Sequence, residues 1–176
     1  KYGGLGLGNV EALIVIEELA KVSGAVAFPV FESCVGPVRA IEHFASESLR
    51  QRVIPAVCRG EAMVAVSMSE PQAGSSLADI RTRAVPTEDG HYLITGNKMW
   101  TSAADHDLSD NIIHMVLAKI PGGPPGVKGI SLFIVPKFLV NDDGSLGERN
   151  DVRVAGLNHK MGYRGTVNTL LNFGEG

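Results

Sequence analysis

The spacing of apolar residues changes near residue 61, and this change most constrains the fold. Before it, apolar residues recur about every 3.6 positions, as on a helix face; after it, they alternate with a period of two, as in β-strands. Helices followed by strands are typical of the α+β class. We therefore predict a helical segment over residues 1–60 and an antiparallel β-domain, a barrel or sandwich, over residues 61–176.

The helical segment divides into three predicted helices. The first covers residues 10–22 with Asn9 as its N-cap, and its apolar residues occupy so much of the circumference that we expect it to be largely buried. The second covers residues 28–44 and should break near Gly36-Pro37. The third follows a Ser46 cap and ends near residue 60.

Short strands separated by turn signals follow. Glycine is frequent, at 21 of 176 residues, and Glu88-Asp89-Gly90 has the composition of a hairpin turn. The predicted strands share an alternating or β-branched pattern and cover residues 62–68, 80–86, 91–95, 98–103, 112–119, 130–136, 152–156 and 167–173.

Composition excludes several classes of protein. With 44% hydrophobic and 20% charged residues the chain is not intrinsically disordered, and a net charge of -3 gives no basic footprint for nucleic acid. Glu17 and Glu18 interrupt the longest apolar stretch, so we expect no membrane span. Cys34 and Cys58 match no zinc or disulfide pattern; we expect both to be buried and inert, and the protein to be cytoplasmic.

Three other features of the sequence do not indicate a functional site. The glycines of residues 3–8 lack the order of a nucleotide-binding loop, so a flexible lead into the first helix is favoured. The acidic and histidine residues of 105–114 match no metal-binding spacing, so a solvated loop is favoured and no metal site is predicted. No nucleophile motif of the G-x-S-x-G type is present.

Two segments have the chemistry of a ligand site. Residues 66–79, VSMSEPQAGSSLAD, expose backbone N–H groups and the hydroxyls of Ser69 and Ser75, although a plain Ser/Gly turn also accounts for them. In residues 98–102, Trp100 lies among hydroxyl residues, where its ring can pack on a planar ligand or simply fill the core.

Taken together, these segments resemble the acyl-CoA dehydrogenase family. The matching stretches are YGGLGLG, SESLRQRVIPAVCRGE, SMSEPQAGSS, TGNKMWTS, GVKGISLFIVP and HKMGYRG, in order along the chain. The DHDLSDNIIH insert resembles a subgroup of larger bacterial enzymes that includes 3-methylmercaptopropionyl-CoA dehydrogenase. The resemblance implies the end of the family's N-terminal helical domain and most of its middle β-domain, in a fragment that lacks the C-terminal helical bundle.

The resemblance also implies FAD as the cofactor and names residues toward it. Met68 and Ser69 would offer donors to the pyrimidine edge of the flavin, while Gly74 would let the chain approach. Ser75 would contact both the cofactor region and the acyl-CoA thioester.

The second segment would serve the rest of the flavin ring. Trp100 would pack near it, and Ser102 would reach N5, the atom that accepts hydride. Thr101 lies between them and is included among the cofactor-binding residues.

The implied reaction is α,β-desaturation of an acyl-CoA, with an electron-transfer flavoprotein as the electron acceptor and a homodimer or homotetramer as the assembly. The family's catalytic carboxylate belongs to the C-terminal domain, so we assign no catalytic residue here, expect the fragment alone to be inactive, and give Glu70 a structural role in its turn. An acyl-CoA oxidase or flavin monooxygenase on the same scaffold, or a non-catalytic β-barrel interaction module, remain alternatives.

Overall fold

The computed structural model describes residues 1–175 and confirms the order of helices first and strands afterwards. The α-helices of this part of the chain are α1 (Asn9–Ala20), α2 (Gly24–Val30), α3 (Pro37–Phe44) and α4 (Glu47–Cys58). The strands are β1 (Ala62–Ser67), β2 (Arg83–Pro86), β3 (Tyr92–Ser102), β4 (Asn111–Lys119), β5 (Ile130–Pro136), β6 (Phe138–Val140), β7 (Leu146–Arg149), β8 (Val152–Leu157) and β9 (Asn168–Phe173).

Helix α1 corrects two predictions. Its N-cap is Gly8 rather than Asn9, and the Glu11 carboxylate accepts a hydrogen bond from the Gly8 backbone N–H. None of its residues is buried, although they are mostly apolar; Val10, for example, is 67% exposed. Apolar composition predicts that a helix face will be covered, but it does not say by which part of a protein. Within residues 1–175, one stripe of α1 is half-buried against α2 and the π-helical turn that follows α2, while an apolar face with Val10, Leu13, Ile14 and Val15 stays exposed.

The other helices follow the sequence prediction more closely. A π-helical turn, Phe31–Val35, continues α2, and the chain then breaks at Gly36 before α3, as expected. Ser46 caps α4 by accepting a hydrogen bond from the Leu49 N–H at 3.3 Å.

The stretch Gly24–Phe44 has the length and mean hydropathy, 1.2, of a membrane-spanning helix. A single stretch of this kind near the N-terminus is weak evidence, because core helices of soluble proteins pass the same test. The break at Gly36 divides it into pieces shorter than the roughly 20 residues that a span needs.

The sheet is mixed, which corrects the purely antiparallel prediction. Its strand order is β1-β4-β2-β3-β9-β8, with β5 on the other side of β4. Strands β1 and β4 pair in parallel from Ala62↔Asn111 to Ser67↔Val116, whereas most other pairs are antiparallel. The long crossover between β1 and β4, which contains β2 and β3, makes parallel pairing possible. The sheet curls, so that β1 also contacts β3.

Strand β3 is continuous over residues that we predicted as two strands. Gly96 lies within it at φ 151°, and a Cβ there would lie 2.6 Å from the Thr82 hydroxyl oxygen, so glycine lets the strand pass close to its neighbour. The short ribbon of β6 and β7 is a further difference, because the turn formers between these strands predict a loop and do not reveal that the flanking residues pair.

Two apolar clusters form the core. One joins the helices to the sheet, with Val38 and Ile41 of α3 and Val53 of α4 packed against Val64 of β1 and Met115 of β4. The other lies inside the curl of the sheet and contains Ala65, Ala104, Ile112, Val116, Val135, Val152, Leu171 and Phe173. Because β1 contributes to both clusters, the end of β1 is held firmly, and the first candidate segment begins there.

Candidate functional site

The two candidate segments lie side by side. The Met99 N–H donates to the Ser69 carbonyl oxygen at 2.9 Å, and the hydroxyls of Ser67 and Thr101 lie 3.3 Å apart. The Lys98 ammonium donates to the Met68 carbonyl oxygen at 3.0 Å. The curl of the sheet thus places Met68 and Ser69 next to the end of β3, as the resemblance requires.

A buried ion pair anchors the first segment to β3. The Lys98 Nζ lies 2.9 Å from Glu70 Oε1, with the two side chains 0% and 3% exposed. Glu70 also accepts hydrogen bonds from the Thr82 hydroxyl at 2.6 Å and from the Thr82 and Arg81 N–H groups at 3.0 and 2.6 Å. Through these hydrogen bonds, the Glu70 carboxylate joins the two ends of the stretch from residue 70 to residue 82.

The charges of this pair follow from its contacts. Burial alone would raise the pKa of Glu70, but the hydrogen bonds from Thr82, Arg81 and Lys98 outweigh it and lower that pKa to about 2. Burial lowers the pKa of Lys98, and the neighbouring carboxylate opposes that change. Glu70 is therefore an anchor whose lone pairs are occupied, which matches the structural role predicted for it.

Unused donors lie beside this anchor. Within residues 1–175, no hydrogen bond engages the hydroxyl of Ser69 or the backbone N–H groups of Met68 and Ser69. The Met68 side chain is exposed and Ser69 is half-buried, so solvent or a ligand reaches this edge. Three donors close together can bind an anionic or carbonyl-rich edge of a ligand.

Trp100 is exposed on a bulge in β3. The pairing of β3 with β9 shifts register between Lys98 and Thr101, and Trp100 lies in this bulge at φ 66°. Its side chain is 59% exposed, so the indole ring is not part of the core. A bulky residue at positive φ is a backbone outlier, and such strained positions cluster at functional sites.

The next two residues are buried and have different partners. The Thr101 hydroxyl lies 3.3 Å from that of Ser67, and the Thr101 carbonyl accepts from the Thr169 hydroxyl at 3.0 Å. Thr101 is fully buried and pairs with Thr169 in the sheet, so its place among the cofactor-binding residues stays a prediction. Ser102 is 8% exposed, and its oxygen accepts a hydrogen bond from Asn168 Nδ2 at 3.1 Å. Sequence reasoning included Thr101 and Ser102 but missed Lys98 and Asn168, because nothing local marks a partner that is distant in the chain.

Gly74 and Ser75 lie at the outer end of the first segment. Backbone hydrogen bonds in both directions between Glu70 and Ala73 close a tight turn just before them. Both residues are exposed, and a Cβ at Gly74 would meet no atom within 4 Å. Packing of the described residues therefore does not require this glycine, and its predicted role in making room for a cofactor stays a prediction.

The remaining candidates have other partners. Asp105 pairs with Lys137 at 2.6 Å and with Arg149 at 2.9 Å, which ties the 105–110 loop to the ribbon of β6 and β7. No group of three metal-ligating side chains converges within the described residues. Cys34 and Cys58 are free but exposed, which corrects our expectation of burial.

The candidate site is open to solvent, with Met68 and Trp100 exposed on it. One concavity, of about 230 Å³, is lined by residues 157–160, Arg164 and 166–168; a second, of about 200 Å³, lies behind the Glu70 turn. Neither is lined by Ser69 or Trp100. A ligand bound to this face needs a second surface to enclose it.

Comparison with protein families agrees with this arrangement. A family model described as the acyl-CoA dehydrogenase middle domain matches residues 65–175, and one described as the acyl-CoA dehydrogenase N-terminal domain matches residues 1–61.

Curated relatives match along most of the chain. Butyryl-CoA dehydrogenase of Syntrophomonas wolfei is 45% identical over 141 residues, which are 80% of this chain and 23% of the relative. The 3-methylmercaptopropionyl-CoA dehydrogenase of Ruegeria pomeroyi is 33% identical over 174 residues, which are 98% of this chain and 29% of the relative. The chain thus spans 23–29% of the length of these relatives.

A solved structure shows the same fold. An acyl-CoA dehydrogenase from Bacillus anthracis, complexed with FAD, superposes with a TM-score of 0.78 at 25% identity, over 98% of this chain and 26% of that one.

Proposed function

Because this chain belongs to the acyl-CoA dehydrogenase family, we propose that it forms one wall of the FAD site of an enzyme that desaturates acyl-CoA thioesters. The observation that carries this proposal is Trp100, exposed at positive φ on a bulge beside the unused donors of Met68 and Ser69. A strained backbone at Trp100 and an exposed indole ring both lower stability. A planar ligand that packs on this face would explain why they are present.

The residues present fit a flavin ring. The donors of Met68 and Ser69 suit a carbonyl-rich edge, the Trp100 ring suits a flat aromatic surface, and the Ser102 hydroxyl lies past the bulge. The open space at Gly74 leaves room for a group to approach the backbone. When bound, FAD supplies an acceptor for two electrons, which no side chain of this chain can supply.

The contribution of this chain is to bind the flavin and to orient it. Preorganised donors stabilise negative charge where it develops, and they do so best when the surrounding structure keeps them in place. The Glu70–Lys98 pair holds the segment that carries Met68 and Ser69, and the pairing of β3 with β9 holds Ser102. With a pKa of about 2 and its oxygens occupied, Glu70 does not serve as a proton-accepting base.

The substrate and partners belong to the same proposal. The names of the relatives support an acyl-CoA thioester as substrate, which Ser75 would contact from its exposed position. We further propose an electron-transfer flavoprotein as electron acceptor, a homo-oligomeric assembly and a cytoplasmic location. The uncovered apolar face of α1 supports contact with a further surface of the whole protein.

The test uses the whole protein, purified and examined for a flavin absorption band. Butyryl-CoA added without oxygen should bleach that band, while free coenzyme A should not. Trp100→Ala and Ser69→Ala should each weaken flavin binding or alter its spectrum, whereas Asn172→Ala, on the neighbouring strand, is the matched control. A colourless protein, or a flavin that butyryl-CoA and 3-methylmercaptopropionyl-CoA both leave oxidised, would contradict the proposal. Rapid peroxide formation in air would instead indicate an oxidase.

A further inference from the structure

We infer that Asn168 is a positioning residue that directs the hydroxyl proton of Ser102 toward the open face of the site. This inference rests on the proposed function, because it concerns a donor that matters only if a cofactor lies on that face. Neither the composition nor the motifs of the chain single out Asn168.

Asn168 lies directly opposite Ser102 in the sheet. The two residues are register partners of β9 and β3, on the far side of the bulge that holds Trp100. Asn168 Nδ2 donates to Ser102 Oγ at 3.1 Å, and both residues are buried, at 9% and 8% exposure.

Asn168 is itself held in place. Its Oδ1 accepts a hydrogen bond from Asn158 Nδ2 at 2.9 Å, and its backbone carbonyl accepts from the Asn158 N–H at 2.8 Å. With its oxygen engaged by Asn158, the amide presents its NH2 group to Ser102. The three side chains form a line of donors that runs from Asn158 through Asn168 to Ser102.

The direction of this line decides where the Ser102 proton lies. A serine hydroxyl has one proton to donate and two lone pairs that accept. Asn168 occupies a lone pair, so the proton cannot lie along the same direction. No other group among residues 1–175 hydrogen-bonds to the Ser102 hydroxyl, so its proton is free for a ligand acceptor, and we place that acceptor on the open face beside Trp100.

A hydrogen-bond donor with a fixed orientation stabilises a developing charge on the ligand more than a freely rotating donor does, because its orientation is set before the charge develops. Without Asn168 the Ser102 hydroxyl rotates freely and must be ordered at each turnover. Losing one neutral hydrogen bond of this kind corresponds to about a five-fold slower reduction of the flavin.

Substitution by aspartate should do more than removal. An ionised carboxylate at this position would only accept hydrogen bonds, so Asn168→Asp, with nearly the same shape, turns the Ser102 proton away from the open face. We expect it to slow reduction as much as Ser102→Ala does. The defect should grow as pH rises and the new carboxyl ionises, and a purely structural role would not give that pH profile.

The experiment is a double-substitution cycle in the whole protein loaded with FAD, with butyryl-CoA as the probe. Asn168→Ala and Asn168→Asp are each made alone and in the Ser102→Ala background, and the flavin spectrum, its reduction potential and its rate of reduction are measured against pH. We expect each Asn168 substitution to shift all three in the presence of Ser102 and to add nothing when Ser102 is absent. Asn172→Asp, four residues along the same strand and hydrogen-bonded to Asn97 and Glu175 instead, is the control for added charge and should leave them unchanged.

The outcomes separate the inference from the proposed function. A wild-type protein that lacks flavin, or whose flavin butyryl-CoA leaves oxidised, overturns the proposed function and this inference with it. A wild type that is reduced normally, combined with Asn168 effects of equal size in both Ser102 backgrounds, overturns the inference alone. An Asn168→Asp variant with wild-type reduction also overturns it, because Asn168 would then present its oxygen to Ser102. If Asn168→Ala does not fold, the comparison with Asn168→Asp still decides.

Discussion

The buried Glu70–Lys98 pair gives the sharpest test of how the site is held together. We expect Glu70→Gln to lower the free energy of unfolding by about 3–5 kcal/mol, since it leaves the fully buried Lys98 ammonium without a counter-charge. Lys98→Met should cost a similar amount, because the buried carboxylate then loses its cation. Its hydrogen bonds to residues 81 and 82 remain. The double variant removes both buried charges, so we expect it to be at least about 2 kcal/mol more stable than the sum of the single losses implies.

The pH dependence of stability checks the same reasoning. Since the pKa of Glu70 is about 2 in the folded chain and 4.5 ordinarily, the carboxylate contributes its full stabilisation above pH 4.5. As pH falls from 4.5 toward 2, about 3 kcal/mol of that stabilisation is lost, because the unfolded chain then binds a proton that the folded chain does not. The Glu70→Gln variant should lose this part of the acid limb and keep the part that comes from other carboxylates with lowered pKa values, such as Asp105 beside Lys137 and Arg149.

Urea unfolding followed by circular dichroism measures both effects. The matched control is Glu61→Gln, which breaks an exposed pair with Arg59 and should leave stability nearly unchanged. Additive losses in the Glu70 and Lys98 variants, or an acid limb in Glu70→Gln as large as that of the wild type, would refute the argument that the pair is charged and mutually dependent.

Three further predictions concern other residues. Burial raises the pKa of Glu32 to about 8, so the folded chain holds a proton that the unfolded chain releases, and the stability that Glu32 contributes should fall by up to about 5 kcal/mol as pH rises from 4.5 to 8. Unfolding titrations of Glu32→Gln should show no such slope; an unchanged slope would argue against a buried neutral carboxyl. Trp100→Gly should be about 1 kcal/mol more stable than Trp100→Ala, since only glycine accepts φ 66° without strain, and equal melting curves would contradict this. Ser69→Ala should raise the barrier to flavin reduction by about 3 kcal/mol in stopped-flow measurements, and an unaltered rate would remove Ser69 from the site.

Local sequence patterns determined much of the architecture. The change of period near residue 61, the Ser46 cap and the break at Gly36 were all correct, because each depends on residues within one or two turns of the chain. Most strands were found within a few residues of their ends for the same reason. The motifs also marked the two segments that the structure brings together.

Only the tertiary structure decided how these pieces meet. The parallel pairing of β1 with β4, the exposure of α1 and the bulge at Trp100 depend on contacts between distant parts of the chain. In the sequence Lys98 has the pattern of an ordinary strand residue. The curl of the sheet places it against Glu70, 28 positions earlier. Ser102 and Asn168 are 66 positions apart and meet only because β9 pairs with β3 beyond the bulge. Periodicity reports which face of an element is apolar, whereas burial, charge pairing and the direction of a hydrogen bond are set by what that face meets.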